Sequence, residues 1–385
     1  MRIQVKRLKF FVMLMLMAAI FVAFLSMENE TSIRIKWNKA YASETEEEVI
    51  TGMLWSLSLL GAELPEGCIP QVFHKKGAYE FDLHLHKAGF NTQALQALQV
   101  ICDTIQNSNT YQIEKAVDIG RFLLLTIHSA HHYYQITGAP ATYEEFNRRH
   151  PTHTSKRFVI LASGVSKRAR IVNFNIDSNP LNMAMAAWQL EDTFYNPGSK
   201  PVEYECVDIM SNSQLRFMTY DHDGDLQTAS DSLYTNAGKP GKCMWCHESH
   251  FQHLFYPTPE VSGFISTKQF QQYMDSANSH LHSYRDKLKT EIKFKNKQDH
   301  TLHELLYISF MEPSLMRVSH EVNQSTSSTA MRKLNKTDKH VYEEFPFLGE
   351  LFYRSFIDSC FHKDNIRVPE SVREKSGFEP NYLLK

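Results

Sequence analysis

The sequence has no excess of positive charge. Its 385 residues carry 41 Lys and Arg against 43 Asp and Glu, a formal net charge of −2. A protein that binds a phosphate backbone needs a basic field, so this balance argues against nucleic acid as a partner. Internal repeats are also absent, which excludes repeat architectures.

The chain also lacks the signatures of several enzyme classes. It contains no G-x-S-x-G nucleophile turn, no Walker loop, no H-E-x-x-H pair and no dinucleotide-binding glycine pattern. The sequence therefore gives no support for a hydrolase or a nucleotide-dependent enzyme. Hydrophobic residues make up 42% and charged residues 22%, which is typical of a folded, mostly soluble protein.

The N-terminus predicts export. A basic stretch precedes an apolar run over residues 10–25, which fits either a signal segment or an uncleaved membrane tether. An A-x-A cleavage pattern lies at residues 40–42, and the absence of a cysteine just after the apolar run argues against a lipoprotein. The positive-inside rule then places the remaining chain in the periplasm, either free or anchored in the inner membrane.

The hydrophobic periodicity predicts an α+β fold, mainly helical with a β-rich middle section. After a signal segment or anchor at 1–42, we expect a helical region over 43–150, a β-rich region over 151–230, and a second helical region over 231–385. Within the first helical region, one helix is predicted from Asn91 to Asn107. Another is predicted to run without a break from Thr110 to Tyr134.

One motif carries specific chemistry. Cys243-Met244-Trp245-Cys246-His247 has the C-x-x-C-H spacing of covalent haem attachment. One helical turn presents both thiols on one side, where each can add to a haem vinyl group, and the adjacent imidazole reaches the iron. The segment resembles the haem-binding stretch of c-type cytochromes, and the resemblance is confined to the residues around the motif.

The resemblance implies one covalent haem c on Cys243 and Cys246, with His247 as the proximal iron ligand. It also implies electron transfer with a redox partner protein, which the sequence does not identify. Because such cytochromes commonly use a methionine near a proline as the sixth ligand, Met311 before Pro313 is the predicted distal ligand. The other candidates are Met274, Met316, His282, His303 and His320.

Two other interpretations of the motif remain open. An unfilled sixth position would give a haem peroxidase or a gas or redox sensor. Alternatively, Cys243 and Cys246 could form a disulfide, or bind zinc together with His250 and His253 in a non-haem structural protein. The spacing between the two ligand pairs is shorter than in ordinary zinc fingers.

Weaker patterns favour structural roles. His128, His131 and His132 have helical spacing, but a packed helix end explains them better than a shared ligand. The segment from Asp221 to Asp225 indicates a hairpin turn more than a calcium loop. The remaining cysteines fit either two disulfides or buried free thiols; they are Cys68, Cys102, Cys206 and Cys360.

Overall fold

The computed structural model of the chain describes residues 31–38, 44–151, 156–321, 328–341, 348–361, 366–371, 374–375 and 377–384. The predicted apolar run at 10–25 and the A-x-A pattern at 40–42 lie outside the described residues. Within the described ranges, no helix is both long enough and apolar enough to cross a membrane.

The described residues form a mixed α+β fold, which confirms the predicted class. The strands are β1 (Ser32–Lys36), β2 (Phe73–Gly77), β3 (Glu80–His84), β4 (Val117–Asp118), β5 (Arg157–Ile160), β6 (Arg170–Asn175), β7 (Ala184–Leu190), β8 (Pro201–Ile209) and β9 (Leu215–Asp221). The helices are α1 (Glu46–Leu59), α2 (Ile69–Val72), α3 (Thr92–Gln106), α4 (Asn109–Glu114), α5 (Ile119–Thr126), α6 (Ala130–Thr137), α7 (Tyr143–Arg149), α8 (Pro240–His247), α9 (Thr267–Arg285), α10 (Lys297–Met311), α11 (Leu315–Glu321), α12 (Ser328–Asn335) and α13 (Arg354–Phe361).

A first sheet, with strand order β2-β3-β1-β4, is formed by three strands from the predicted helical region 43–150 and one strand from the segment before it. Its central strand β1 falls inside the segment 1–42 that the sequence assigns to a signal or anchor. Ile33 and Ile35 of β1 are 1% and 0% exposed, so this strand is part of the core. Cleavage after Ala42 would therefore remove a central strand from the sheet.

The helix predicted from Thr110 to Tyr134 is wrong as a single element, because a strand interrupts it. Val117 of β4 pairs in parallel with Ile35 of β1, a contact that sequence periodicity does not register. Asp118 and Ser129 then cap the new helices α5 and α6 by accepting backbone N–H bonds. By contrast, α3 begins after the cap Asn91, as its sequence predicts.

A second sheet, β5-β6-β7-β8-β9, is antiparallel throughout and forms the predicted β-rich section. Side chains alternate between its two faces. On one face, Tyr204 and Tyr220 contact Tyr143 of α7, with ring centroids 4.0 and 6.0 Å apart. The other face is covered by α8 and α9, and a cavity separates it from these helices.

The helix α10 packs closely against both α1 and α5 through two glycines. A Cβ atom at Gly52 of α1 would lie 2.9 Å from the Leu302 carbonyl oxygen, and one at Gly120 of α5 would overlap the Cβ of Phe310. These contacts fix the distance between helix backbones, because cores of this density accommodate no added methyl group without movement.

We expect Gly120→Ala to lower the free energy of unfolding by about 1–3 kcal/mol, because overlap with Phe310 forces α5 and α10 apart. Urea unfolding followed by circular dichroism measures the change. Gly164→Ala is the matched control, since a Cβ atom there meets nothing within 4 Å. Equal stability of the two variants would contradict the close helix contact.

Candidate functional site

The haem-type motif forms the helix α8. Pro240 occupies the first turn, where its missing N–H costs nothing, and the helix ends at His247 because Glu248 adopts a φ of 52°. Cys243, Cys246 and His247 all line one cavity, which we call the motif cavity. The structure thus brings together the three residues that the sequence selects as haem ligands.

A water-sized sphere can occupy about 150 Å³ of the motif cavity, within about 960 Å³ of space between protein atoms that includes the part open to solvent. Its floor is one face of the second sheet: Val172 pairs with Ala187, Ala187 with Glu205, and Glu205 with Thr219, and all four line the cavity. Its roof is α8, with Phe270 and Met274 of α9, Leu254 and Phe255. The mostly apolar lining suits the faces of a planar hydrophobic ligand.

One ion pair lies in the wall of this otherwise apolar pocket. Arg170 of β6 donates to both carboxylate oxygens of Glu205 at 3.0 and 3.1 Å, and also to Gln189 at 2.9 Å and Thr235 at 3.1 Å. Sequence reasoning missed this pair. An arginine inside the β-branched segment RARIVNF was the available signal, since a charge in a buried strand needs a partner.

Glu203, one pleat away from Glu205 on β8, is buried at 3% exposure. Burial raises its pKa to about 8, and the neighbouring Glu205 carboxylate acts in the same direction. One of its oxygens accepts the backbone N–H of Asp231 at 2.7 Å. At neutral pH, Glu203 is therefore mostly protonated. It is a titratable group next to the Arg170–Glu205 ion pair.

His247 is held as a neutral imidazole. Burial lowers its pKa to about 4, and its Nδ1 atom has no hydrogen-bond partner among the described residues. Its ring centroid lies 5.6 Å from that of Phe217 in the sheet. A neutral imidazole is the form that coordinates metal ions, including haem iron.

Met311 does not line the motif cavity. It lies at the end of α10 and lines a different cavity, together with Arg354 and Asp358. Among the side chains that the structure describes, the methionines that line the motif cavity are Met185, Met218 and Met274, and of the sequence alternatives Met274 is the one found there. The proline beside Met311 instead marks the end of a core helix.

The four proposed zinc ligands do not converge. His250 lies beside His282, with ring centroids 5.2 Å apart, and His253 lies 3.4 Å from Asp275. Across the described ranges, the only group of three metal-ligating side chains with atoms within 4.8 Å of one another is Asp221, His222 and Asp223. That group lies on an exposed turn closed by the bond from Gly224 N–H to the Asp221 carbonyl.

The remaining sequence candidates are packed residues. All six cysteines are free thiols. The structure therefore contains neither a disulfide between Cys243 and Cys246 nor a disulfide among the other four cysteines. His132 uses both ring nitrogens, one at 2.5 Å from the Leu125 carbonyl and one accepting the Tyr382 N–H. It therefore does not share a ligand with His128.

Stability is expected to fall as pH falls from about 6.5 to 4, with His250 as one cause. Burial lowers the pKa of His250 to about 4 from 6.5, so in this window the unfolded chain binds a proton that the folded chain excludes. Each such histidine contributes about 1.4 kcal/mol per pH unit. Urea unfolding at pH 6 and pH 5 gives the change in the free energy of unfolding per pH unit. This change should be smaller for His250→Gln than for the unchanged chain.

The matched control is His222→Gln, because His222 lies on the exposed turn. Glu203 titrates with the opposite sign, since its raised pKa makes the folded chain bind the extra proton. The pH dependence of the free energy of unfolding must therefore be compared between His250→Gln and His222→Gln. An identical pH dependence of the free energy of unfolding in the two variants would contradict the burial of His250.

Comparison of the chain with models of known families, with curated proteins and with solved structures found no match. No relative therefore supplies a function. What the protein does must follow from the motif on α8 and from the cavity that it lines.

Proposed function

We propose that the protein is an exported, single-haem c-type cytochrome that transfers electrons. The observation that carries this proposal is that Cys243, Cys246 and His247 all open into one apolar cavity. Residues 10–25 support the exported location, since they have the character of a signal or tether.

The residues of the motif cavity fit a haem. Cys243 and Cys246 would hold it through thioether bonds, and the neutral His247 would be its proximal ligand. The apolar floor and roof suit the faces of the macrocycle. When bound, the haem supplies a one-electron ferric–ferrous couple, whose potential the protein sets through ligands and burial.

The chain's own residues would control access to the haem. The sheet floor and α9 exclude water from one side, which favours the less charged, reduced state. Cys246 also lines an outer cleft together with His253 and Tyr256, and Tyr256 is 61% exposed. The redox partner protein would approach at this cleft, because electron transfer needs the haem edge near the surface.

A ligand-binding haem is the second candidate. It is favoured by the observation that Met311, the predicted sixth ligand, lines a different cavity. An open sixth position would permit peroxide or a small gas to bind, giving a peroxidase or a sensor. Rapid carbon monoxide binding to the reduced protein would support this function over electron transfer.

Expression in a host that matures c-type cytochromes should give a protein whose haem remains attached on a denaturing gel. The pyridine haemochrome spectrum should report one haem per chain. Cys243→Ser and Cys246→Ser should each remove one thioether bond and shift this spectrum, and the double variant should lose the covalent haem.

Cys360→Ser is the control, because Cys360 lies on α13, away from the motif cavity. It should retain the full haem stain. A colourless wild-type band, from a host that matures a known cytochrome in parallel, would overturn the haem assignment.

Met274→Ala should lower the midpoint potential and remove the optical signature of methionine-ligated ferric haem, because Met274 lines the motif cavity. Met311→Ala should change neither, since Met311 lines another cavity. A shift in Met311→Ala with none in Met274→Ala would restore the ligand predicted from the sequence.

A further inference from the structure

Residues 377–384 form the last described stretch of the chain, and they attach to a helix far away in the sequence. The Pro380 carbonyl accepts a bond from the Ser129 hydroxyl at 2.7 Å, and the Tyr382 N–H donates to Nε2 of His132 at 2.8 Å. Ser129 is the cap of α6, and His132 lies in its first turn. We call residues 377–384 the C-terminal strap, because they bind the start of α6 across about 250 residues of chain.

Glu379 of the C-terminal strap connects two elements through its two carboxylate oxygens. Oε1 accepts the backbone N–H of Ala130 at 2.7 Å, and Oε2 accepts a hydrogen bond from Nζ of Lys239 at 2.6 Å. The Lys239 side chain is 0% exposed, and that of Glu379 is 6% exposed. The ion pair is therefore desolvated, and it joins α6 to the residue that precedes the motif helix α8.

The buried ammonium of Lys239 depends on the C-terminal strap for its counter-charge. Burial lowers the pKa of Lys239, and the carboxylates of Glu379 and Glu370 act in the opposite direction. A buried charge that loses its partner is strongly destabilising. Lys239 can therefore stay in the core only while Glu379 faces it.

Lys239 in turn holds the first turn of α8. Its carbonyl oxygen accepts the N–H of Lys242 at 2.9 Å and the N–H of Cys243 at 3.4 Å. The same turn packs against the connection between α5 and α6, because a Cβ atom at Gly241 would overlap the ring of His128. Displacement of Lys239 would therefore move the turn that carries Cys243.

The position of α8 affects the reactivity of the two motif thiols. Cys243 and Cys246 both line the motif cavity. Burial raises the pKa of Cys243, so its thiol stays protonated while α8 is in place. Because the thiolate is the reactive form of cysteine, Cys243 should become more reactive when the helix moves away from the sheet.

We propose that the C-terminal strap holds the motif helix over its cavity through the positioning residues Glu379 and Lys239, and that release of the strap exposes the motif thiols. One consequence rests on the proposed function: haem attachment would occur while the strap is released, and the strap would close afterwards. In that step each thiol adds its S–H across a vinyl double bond, so that a C–S bond forms and the proton goes to the second vinyl carbon. The holding of α8 by the strap does not depend on haem.

The test measures the alkylation rate of each cysteine in the full chain, expressed without c-type maturation so that the thiols are free. Pulses of N-ethylmaleimide followed by peptide mass mapping report each cysteine separately. Cys102 of α3 is 0% exposed, and it serves as the internal reference for global unfolding. In the unchanged chain, Cys243 should react slowly, because its thiol is mostly protonated.

Glu379→Gln should raise the alkylation rate of Cys243 by roughly 10–100-fold and leave that of Cys102 unchanged. The glutamine keeps an oxygen acceptor for the N–H of α6, but it leaves the Lys239 charge unpaired. Glu374→Gln is the matched control, because it also removes a carboxylate from the C-terminal part of the chain, but an exposed one. Adding Lys239→Met to Glu379→Gln should restore the slow rate, since no buried charge remains.

Three results would overturn this role of the C-terminal strap. Equal rates at Cys243 in Glu379→Gln and Glu374→Gln would show that the strap does not hold α8. A parallel rise at Cys102 would show that the strap stabilises the whole fold rather than the motif helix. A fast rate that persists after Lys239→Met is added would show that charge pairing does not hold the helix. Failure of the wild-type chain to attach haem would overturn the proposed function and leave these rates as they are.

Discussion

The pleat of the second sheet is the constraint on which the proposed site depends. Because successive side chains of a strand point to opposite faces, each of the five strands contributes alternate residues to the cavity face and to the face that contacts α7. Val172, Ala187, Glu205 and Thr219 form one such row across four strands, and the motif cavity lies above it. A shift of one residue in β8 would place Glu205 on the α7 face instead, and a shift of one residue in β6 would do the same to Arg170.

The motif helix α8 packs over the second sheet as a short helix with defined ends. Proline begins α8, and the left-handed φ of Glu248 stops it directly after His247. The same helix contacts the buried ring of His128 through Gly241. α8 therefore lies between the motif cavity on one side and His128 on the other.

Much of the fold follows from local sequence, and the failures have a common cause. α3 and the strands β5, β6, β8 and β9 form where propensity and capping predict them. The helix predicted from Thr110 to Tyr134 breaks because Val117 pairs with Ile35, far away in the chain. Hydrophobic periodicity indicates which residues are buried, but it does not indicate which distant strand a segment will pair with. Met311 likewise satisfies a local pattern of neighbours, but it lines a cavity other than the motif cavity.

The sequence by itself determined the features that five consecutive residues can encode. Two cysteines and a histidine at C-x-x-C-H spacing form one helical turn, so their mutual placement needs no distant contact. The tertiary structure alone decided what surrounds them: the pairing of Arg170 with Glu205, the cavity methionines, and the meeting of His128 with His303. These groups come from segments separated in the chain, and only the packing of sheet and helices brings them together.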